Sequence, residues 1–425
     1  MMTFTNRRDF LKALSAASLV AWGIAPRFAN AAAKARVVVI GGGYGGAIAA
    51  KYLKLAEPGM EVILIEKNKQ YVSCPFSNEV IGGHAGMDLL TFGYDNLARR
   101  GIKLVFDTVE AIDPEARIVR IKSGTKFNYD YCIVSPGVDF MWNEIEGYEE
   151  AASQIMPHAW KAGPQTELLA KQIRDIRDGG VVVISAPADP FRCPPGPYER
   201  ACEIAGYFKK YKPRSKVIIL DAKETFSKKA LFEQGWKQHY EGYITWVSGQ
   251  KGGEVTRVDP KTMTVYTDSG KIQADVVNVI PSQGAGQIAV QAGLAKKGDW
   301  CPVNFATFES KIHKNIHVLG DAVDSPMPKS GYSANSHAKV AVAAILAALR
   351  NEPLVPPALT NTCYSLIAPD HGISVAHIFE LVNGRLVTVK GAGGTSPLDA
   401  TPEFRRLEAV YAHSWYRNIT TEMFG

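Results

Sequence analysis

An α/β chain built on two parallel sheets is predicted by three observations. Two continuous apolar runs, Val-Val-Val-Ile at 37–40 and again at 181–184, read as buried parallel strands. Each run is followed by a turn and then a helix pattern. The first of those turns is Gly41-Gly42-Gly43-Tyr44-Gly45-Gly46. With 425 residues, 46% hydrophobic and 21% charged, the chain can bury two or three domains. Disorder, collagen and coiled coil are excluded as its bulk.

The N-terminus reads as an address. Arg7-Arg8-Asp9-Phe10-Leu11-Lys12 is a twin-arginine signature, the run 13–25 is apolar, and Ala29-Asn30-Ala31 is an A-x-A cleavage pattern. The alternative, an anchor or a packed helix, is disfavoured because the run is about half of the roughly 20 residues that span a bilayer. Residues 1–31 are therefore expected to be a twin-arginine signal peptide, and the mature protein is expected in the periplasm, where disulfides persist. No other segment reaches transmembrane length, so no membrane insertion is expected. The signal holds Arg7, Arg8, Lys12 and Arg27 against Asp9, half of the formal net charge of +6. The remainder, with no basic run, gives no reason to expect a nucleic-acid partner.

The glycine turn lies between the first strand and an Ala-rich helix pattern at 47–55, and a second strand at 62–65 ends in Glu66. That is the context in which G-x-G-x-x-G binds a dinucleotide. Gly41 permits the tight turn, Gly43 lets backbone approach a pyrophosphate, and Gly46 allows close helix–strand contact. The helix N-terminus faces the phosphates and Glu66 a ribose hydroxyl. Two further strands end in turns, Tyr-Asp-Tyr-Cys-Ile-Val-Ser-Pro-Gly at 129–137 and Asn-Ile-His-Val-Leu-Gly-Asp at 315–321, the latter before a helix pattern at 336–349. They resemble the remaining fingerprints of the two-dinucleotide-binding-domain flavoproteins of the disulfide-reductase-like class. That resemblance implies FAD, with Asp321 on its ribityl chain and the following helix dipole stabilising negative charge on the reduced ring.

The second Rossmann-like unit keeps the strand but not the glycines: Ser185-Ala186-Pro187-Ala188-Asp189-Pro190 fills the phosphate turn. Proline has no N–H to donate, and Asp189 sets a negative charge beside any phosphate. No nicotinamide cofactor is expected there. The next segment, Phe191-Arg192-Cys193-Pro194-Pro195-Gly196-Pro197-Tyr198-Glu199-Arg200, sets Cys193 just before a helix running to about Tyr211. A thiol there is expected to have a lowered pKa; a small apolar filler is the alternative. Glu199 is a candidate base, or else only complements the helix dipole.

That segment, Pro326-Met-Pro-Lys329-Ser-Gly-Tyr-Ser-Ala-Asn335, Asn361-Thr-Cys363-Tyr-Ser, Ser73-Cys74 before Ser77-Asn-Glu-Val-Ile-Gly-Gly83, and Ser414-Trp-Tyr416 together resemble the flavoprotein subunits of flavocytochrome c sulfide dehydrogenase, relatives of the sulfide:quinone oxidoreductases. The resemblance covers essentially the whole chain. It implies a covalent link from Cys74 to FAD and a redox-active disulfide between Cys193 and Cys363 against the flavin face. Sulfide would attack that bridge, Glu199 would act as base, and Lys329 would neutralise charge near the reduced flavin. A c-type cytochrome would accept the electrons, since the chain has no C-x-x-C-H for a haem of its own. Cys132, Cys202 and Cys301 are left as buried thiols, and no histidine spacing suggests a metal.

The expected organisation is an FAD-binding domain at 34–160 and 281–355, a second Rossmann-like domain without a nucleotide site at 161–280, and a C-terminal α+β domain at 356–425. The last would cover the flavin and form the partner interface. Rival readings are a membrane-associated quinone reductase, a non-catalytic flavin-bearing docking module, and an NAD(P)H-dependent disulfide reductase.

Overall fold

The computed structural model describes residues 35–142 and 144–425. The twin-arginine segment, and the export read from it, lies outside the described residues.

Both parallel sheets are present. Arg36–Ile40 pairs in parallel with Glu61–Glu66 on one side and Tyr131–Val134 on the other. Lys103–Phe106 and Ile316–Val318 extend the sheet, and two short antiparallel strands complete seven at its edge. Val37, Val38 and Val39 have no exposed surface, as an uninterrupted apolar strand requires when helices cover both sheet faces. The Gly46–Ala56 and Gly331–Arg350 helices pack on each other beside it. The second of these begins five residues before the expected Ser336. Ser330, in extended backbone, accepts the Ser333 N–H at 3.1 Å and caps the helix there. Its first turn is polar, so apolar periodicity misses that start.

The second sheet has four parallel strands in the order Ile244–Val247, Lys216–Asp221, Val181–Ala186, Val276–Val279. The Gly196–Tyr211 helix packs on it through Tyr198, Ala201, Cys202, Ala205 and Phe208, all fully buried at helical spacing. The two chain crossings between the sheets run side by side, Val138–Phe140 pairing antiparallel with Gln283–Ala285.

The C-terminal region is an antiparallel meander, Ala358–Ala368, His371–Val382 and Arg385–Thr395, followed by the helix Pro402–Phe424. That helix returns to the first sheet. Lys51 Nζ donates to the carbonyls of Glu422 (2.6 Å) and Gly425 (3.0 Å), and Phe424 packs on the rings of Tyr71, Phe92 and Tyr94. The meander's first strand is thereby held against the Gly196–Tyr211 helix, with Cys363 near its middle.

Candidate functional site

The glycine turn has the stereochemistry expected of it. A Cβ on Gly46 would lie 1.9 Å from the Gly41 carbonyl oxygen, and one on Gly41, which has φ +92°, would lie 2.3 Å from that of Ser135. Both are needed for the turn to close. At Gly43 a Cβ would meet nothing nearer than the edge of Tyr71, at 3.3 Å, so glycine there leaves room for a ligand to reach the backbone. Glu66 holds its carboxylate against the turn, accepting the Gly42 N–H at 2.8 Å and the Asn68 N–H at 3.0 Å. Asp321 is enclosed, and its Oδ1 has no hydrogen-bond partner within the described residues. A buried polar atom left so costs about 1–3 kcal/mol. An acceptor for a ribityl hydroxyl fits that orphaned oxygen, and these residues fit FAD.

In the second unit the carboxylate at the strand end is engaged by its own domain. Asp221, at the end of its strand, has no exposed surface and accepts from Tyr198 Oη (2.5 Å), Trp246 Nε1 (2.9 Å) and Lys223 Nζ (2.6 Å). Lys223 Nζ also donates to the Pro187 carbonyl at 2.7 Å. The carboxylate that would meet a ribose is spent on its own domain, and a lysine closes the turn.

Cys74, Cys193, Glu199, Lys329 and Cys363 line one cavity of about 420 Å³. Nothing local in the sequence joins these positions; the folding of the two sheets and the meander does. The Cys193 loop is pinned at several points. Cys193 N–H donates to the Lys329 carbonyl (2.8 Å), the Cys193 carbonyl accepts from Gly196 N–H (2.9 Å), and Arg192 N–H donates to Gln283 Oε1 (3.0 Å). Cys193 itself has φ +57°, a left-handed conformation few non-glycine residues adopt. Beneath the loop, fully buried Arg200 ties Asn78 Oδ1 (3.0 Å), Asn278 Oδ1 (2.8 Å) and the Ala159 carbonyl (2.6 Å) together. Its guanidinium lies 4.8 Å from the Trp160 ring.

Cys193 and Cys363 are not bonded to one another in this structure, and both face the cavity. One expectation about the cysteines is corrected. The Cys193 pKa is raised, not lowered: burial dominates, and Cys363 and Glu199 add to it. Its position before a helix does not compensate for enclosure. Burial also pushes the Cys363 thiol up, Lys228 opposing and Glu199 adding.

Lys228 carries no signal in the sequence. It is buried, and its Nζ donates to Ser365 Oγ at 2.9 Å and the Cys363 carbonyl at 3.3 Å. Its φ of +62° aims the side chain there, a conformation that Phe226-Ser227-Lys228 does not announce. Glu199 is likewise more than a helix-dipole residue. Its Oε1 accepts the Leu366 N–H at 2.8 Å and its Oε2 the Asn78 Nδ2 at 2.9 Å, and burial raises its pKa.

Lys329 is buried. Its Nζ donates to the Asp321 and Val323 carbonyls, each at 2.8 Å, and lies 3.5 Å from the Trp300 ring. Burial brings its pKa down to about 8. It joins the cavity to Asp321, which with Gly41, Gly43, Gly46 and Glu66 lies outside the cavity lining. Cys74 Sγ accepts the Ala162 N–H at 3.4 Å. Cys132, Cys202 and Cys301 are buried away from the cavity.

Three family models match the chain: pyridine nucleotide-disulphide oxidoreductase at 35–174, the central part of the sulfide dehydrogenase [flavocytochrome c] flavoprotein chain at 166–281, and flavocytochrome c sulphide dehydrogenase, flavin-binding, at 355–424. The sulfide dehydrogenase [flavocytochrome c] flavoprotein chain of Chlorobaculum thiosulfatiphilum is 56% identical over 45 residues, 94% of that sequence and 11% of this one. The sulfide-quinone reductase of Aquifex aeolicus is 24% identical over 384 residues, 84% of this chain and 86% of that one. Among solved structures, the sulfide:quinone oxidoreductase of Aquifex aeolicus superposes with a TM-score of 0.73 at 19% identity, covering 92% of this chain and 91% of that one. At that identity the likeness shows the fold, and it is the disulfide-reductase-like α/β fold expected.

Proposed function

The chain belongs to the family of flavoprotein chains of flavocytochrome c sulfide dehydrogenase, relatives of the sulfide:quinone oxidoreductases, and from that premise we propose that it oxidises sulfide at Cys193 and Cys363 and passes the electrons to a c-type cytochrome. The observation that carries the reading is the convergence of Cys74, Cys193, Cys363 and Glu199 on one cavity that Lys329 joins to Asp321.

In the oxidised pair, hydrosulfide attacks one sulfur of the Cys193–Cys363 bridge; the S–S bond breaks, leaving a persulfide on one cysteine and a thiolate on the other. Lys228 places its ammonium beside Cys363 and favours the thiolate that this step releases. Glu199, enclosed near both thiols, takes the proton of hydrogen sulfide or of a thiol. FAD, when bound, supplies the two-electron acceptor for the cysteine sulfur. Gly41, Gly43, Gly46, Glu66 and Asp321 would hold its phosphate, ribose and ribityl groups, Cys74 would attach it covalently, and Lys329 would lend positive charge near the ring.

A c-type cytochrome is favoured as acceptor because the matches specific to flavocytochrome c lie at 166–281 and 355–424, the regions that build the cysteine site. The second reading, quinone reduction, is favoured by the long alignments with quinone-reducing relatives. Among the described residues no helix is long and apolar enough to cross a membrane. Residues 1–31 would deliver the protein to the periplasm, where a c-type cytochrome could meet it. Anaerobic titration with sulfide, followed by a c-type cytochrome in one cell and a soluble quinone in another, separates the readings. Reoxidation by the cytochrome alone is expected; reoxidation by the quinone alone would overturn the proposed acceptor.

A further inference from the structure

We propose that two carboxyl–imidazole pairs, Glu203 with His84 and Glu79 with His413, carry protons from the sulfide-oxidising cavity to solvent. This rests on the cysteine site proposed above. Oxidising hydrogen sulfide to zero-valent sulfur gives two electrons, accepted by the flavin and then singly by the haem protein, and two protons. A haem that takes only electrons leaves both protons to be discharged. Glu199 can receive one, but its hydrogen-bond partners, the Leu366 N–H and the Asn78 amide, are donors. They offer its proton no onward route.

Glu203 and Glu79 both line the cavity. Glu203 is 6% exposed, and its Oε2 has no hydrogen-bond partner among the described residues. The imidazole Nε2 of His84 lies 3.4 Å away, and that side chain is 44% exposed. Glu79 Oε1 lies 3.3 Å from Nε2 of His413, whose side chain is 40% exposed. Each pair thus spans from cavity to surface in one side-chain step. The Ser77–Gly82 helix leaves room for the first of them: a Cβ on Gly82 would lie 2.6 Å from Glu203 Oε2.

The electrostatics suit transfer better than a fixed ion pair. Burial raises Glu203 well above the carboxylate range, with Glu199 and Glu79 adding, and raises Glu79 to about 7, with Glu199 adding. Burial lowers both His84 and His413. In each pair the carboxyl is pushed up and the imidazole down, so neither is held as a fixed carboxylate–imidazolium pair and a proton can pass between them. Glu203 faces Glu199 and Cys202 on its own helix, Glu79 and His84 across from it, and Tyr240 after the Lys229–His239 helix; Lys210 is the cation near His84. Glu79 faces Glu199, Tyr416 and His413, with Arg417 beside the last.

The test compares wild-type holoenzyme with His84→Ala, His413→Ala, the double variant and Glu203→Gln. Turnover on sulfide with a one-electron acceptor is normalised to bound flavin, and proton release is followed with a pH indicator. The double variant should release protons and turn over roughly 10–100-fold more slowly. Its solvent deuterium isotope effect should be larger, and added imidazole should restore the rate. Wild-type proton release in the double variant, or a slowed rate that imidazole leaves unchanged, overturns the relay. Failure of wild type to oxidise sulfide would instead overturn the reading of the site, and the relay with it.

Discussion

Replacing Glu199 by Gln separates its two roles, because the structure assigns a different readout to each. The carboxylate accepts two N–H groups, from Leu366 at 2.8 Å and from Asn78 Nδ2 at 2.9 Å. A glutamine offers one oxygen, so its amide nitrogen must face one of those donors. Asn78 cannot turn its amide to help, because its Oδ1 already accepts from Arg200 Nε at 3.0 Å. One buried donor is left unpaired at about 1–3 kcal/mol, a fall in Tm of roughly 2–12 °C. If Glu199 is also the base, single-turnover bleaching of the flavin by sulfide should slow by about 10²-fold, near 2.7 kcal/mol of barrier. A base must be ionised, and burial raises this carboxyl. The wild-type rate should therefore climb with pH above the ordinary carboxylate range, and Glu199→Gln should lack that limb. A lowered Tm with unchanged rate and pH profile would refute the assignment as base and leave Glu199 as a hydrogen-bond acceptor alone.

Lys228→Met should slow sulfide-dependent bleaching roughly tenfold or more, about 1.4 kcal/mol, while Lys228→Arg should retain most of it; equal rates in wild type and Lys228→Met, by stopped flow, would remove the cation from the mechanism. For Glu79 the folded-state pKa is about 7 against 4.5 for the free group, raised by burial and then by Glu199. Its contribution to stability is full below pH 4.5 and lost as pH rises to about 7, so Tm should fall over that window in wild type and less in Glu79→Gln, as scanning calorimetry would read. If Cys74 is bonded to FAD, acid precipitation should leave a yellow pellet and a colourless supernatant, whereas Cys74→Ala should release its flavin to the supernatant.

What the sequence discloses of this site follows the range of the interactions involved. The turn from Gly41 to Gly46 and the acid at Glu66 are legible because they are local: strand, turn and helix occur in one unbroken stretch, and only glycine satisfies a 1.9 Å approach to backbone at Gly46. The loss of a second phosphate turn is legible for the same reason, in Pro187 and Pro190. Cys193 and Cys363 come together only through the meander and the returning C-terminal helix, and it was a family resemblance, not spacing, that joined them. The sign of the Cys193 pKa shift is not legible, because a helix terminus is visible in sequence and enclosure is not. Lys228, Glu79, Glu203 and their histidines carry no motif. Their surroundings are made by side chains from distant elements, so only the assembled cavity identifies them. The helix beginning at Gly331 starts ahead of its apolar stripe because the Ser330 cap sets its first turn.

The central claim is that sulfide electrons enter through Cys193 and Cys363. Anaerobic single-turnover reduction by sulfide, measured on wild type, Cys193→Ser, Cys363→Ser and the double variant at equal flavin content, tests it most directly. Rapid bleaching in wild type and a loss on the order of 10³-fold in each variant, roughly 4 kcal/mol, is the expected result for removal of a covalent step. Bleaching of the double variant at near the wild-type rate would mean that sulfide reduces the flavin without the cysteines, and would contradict the account.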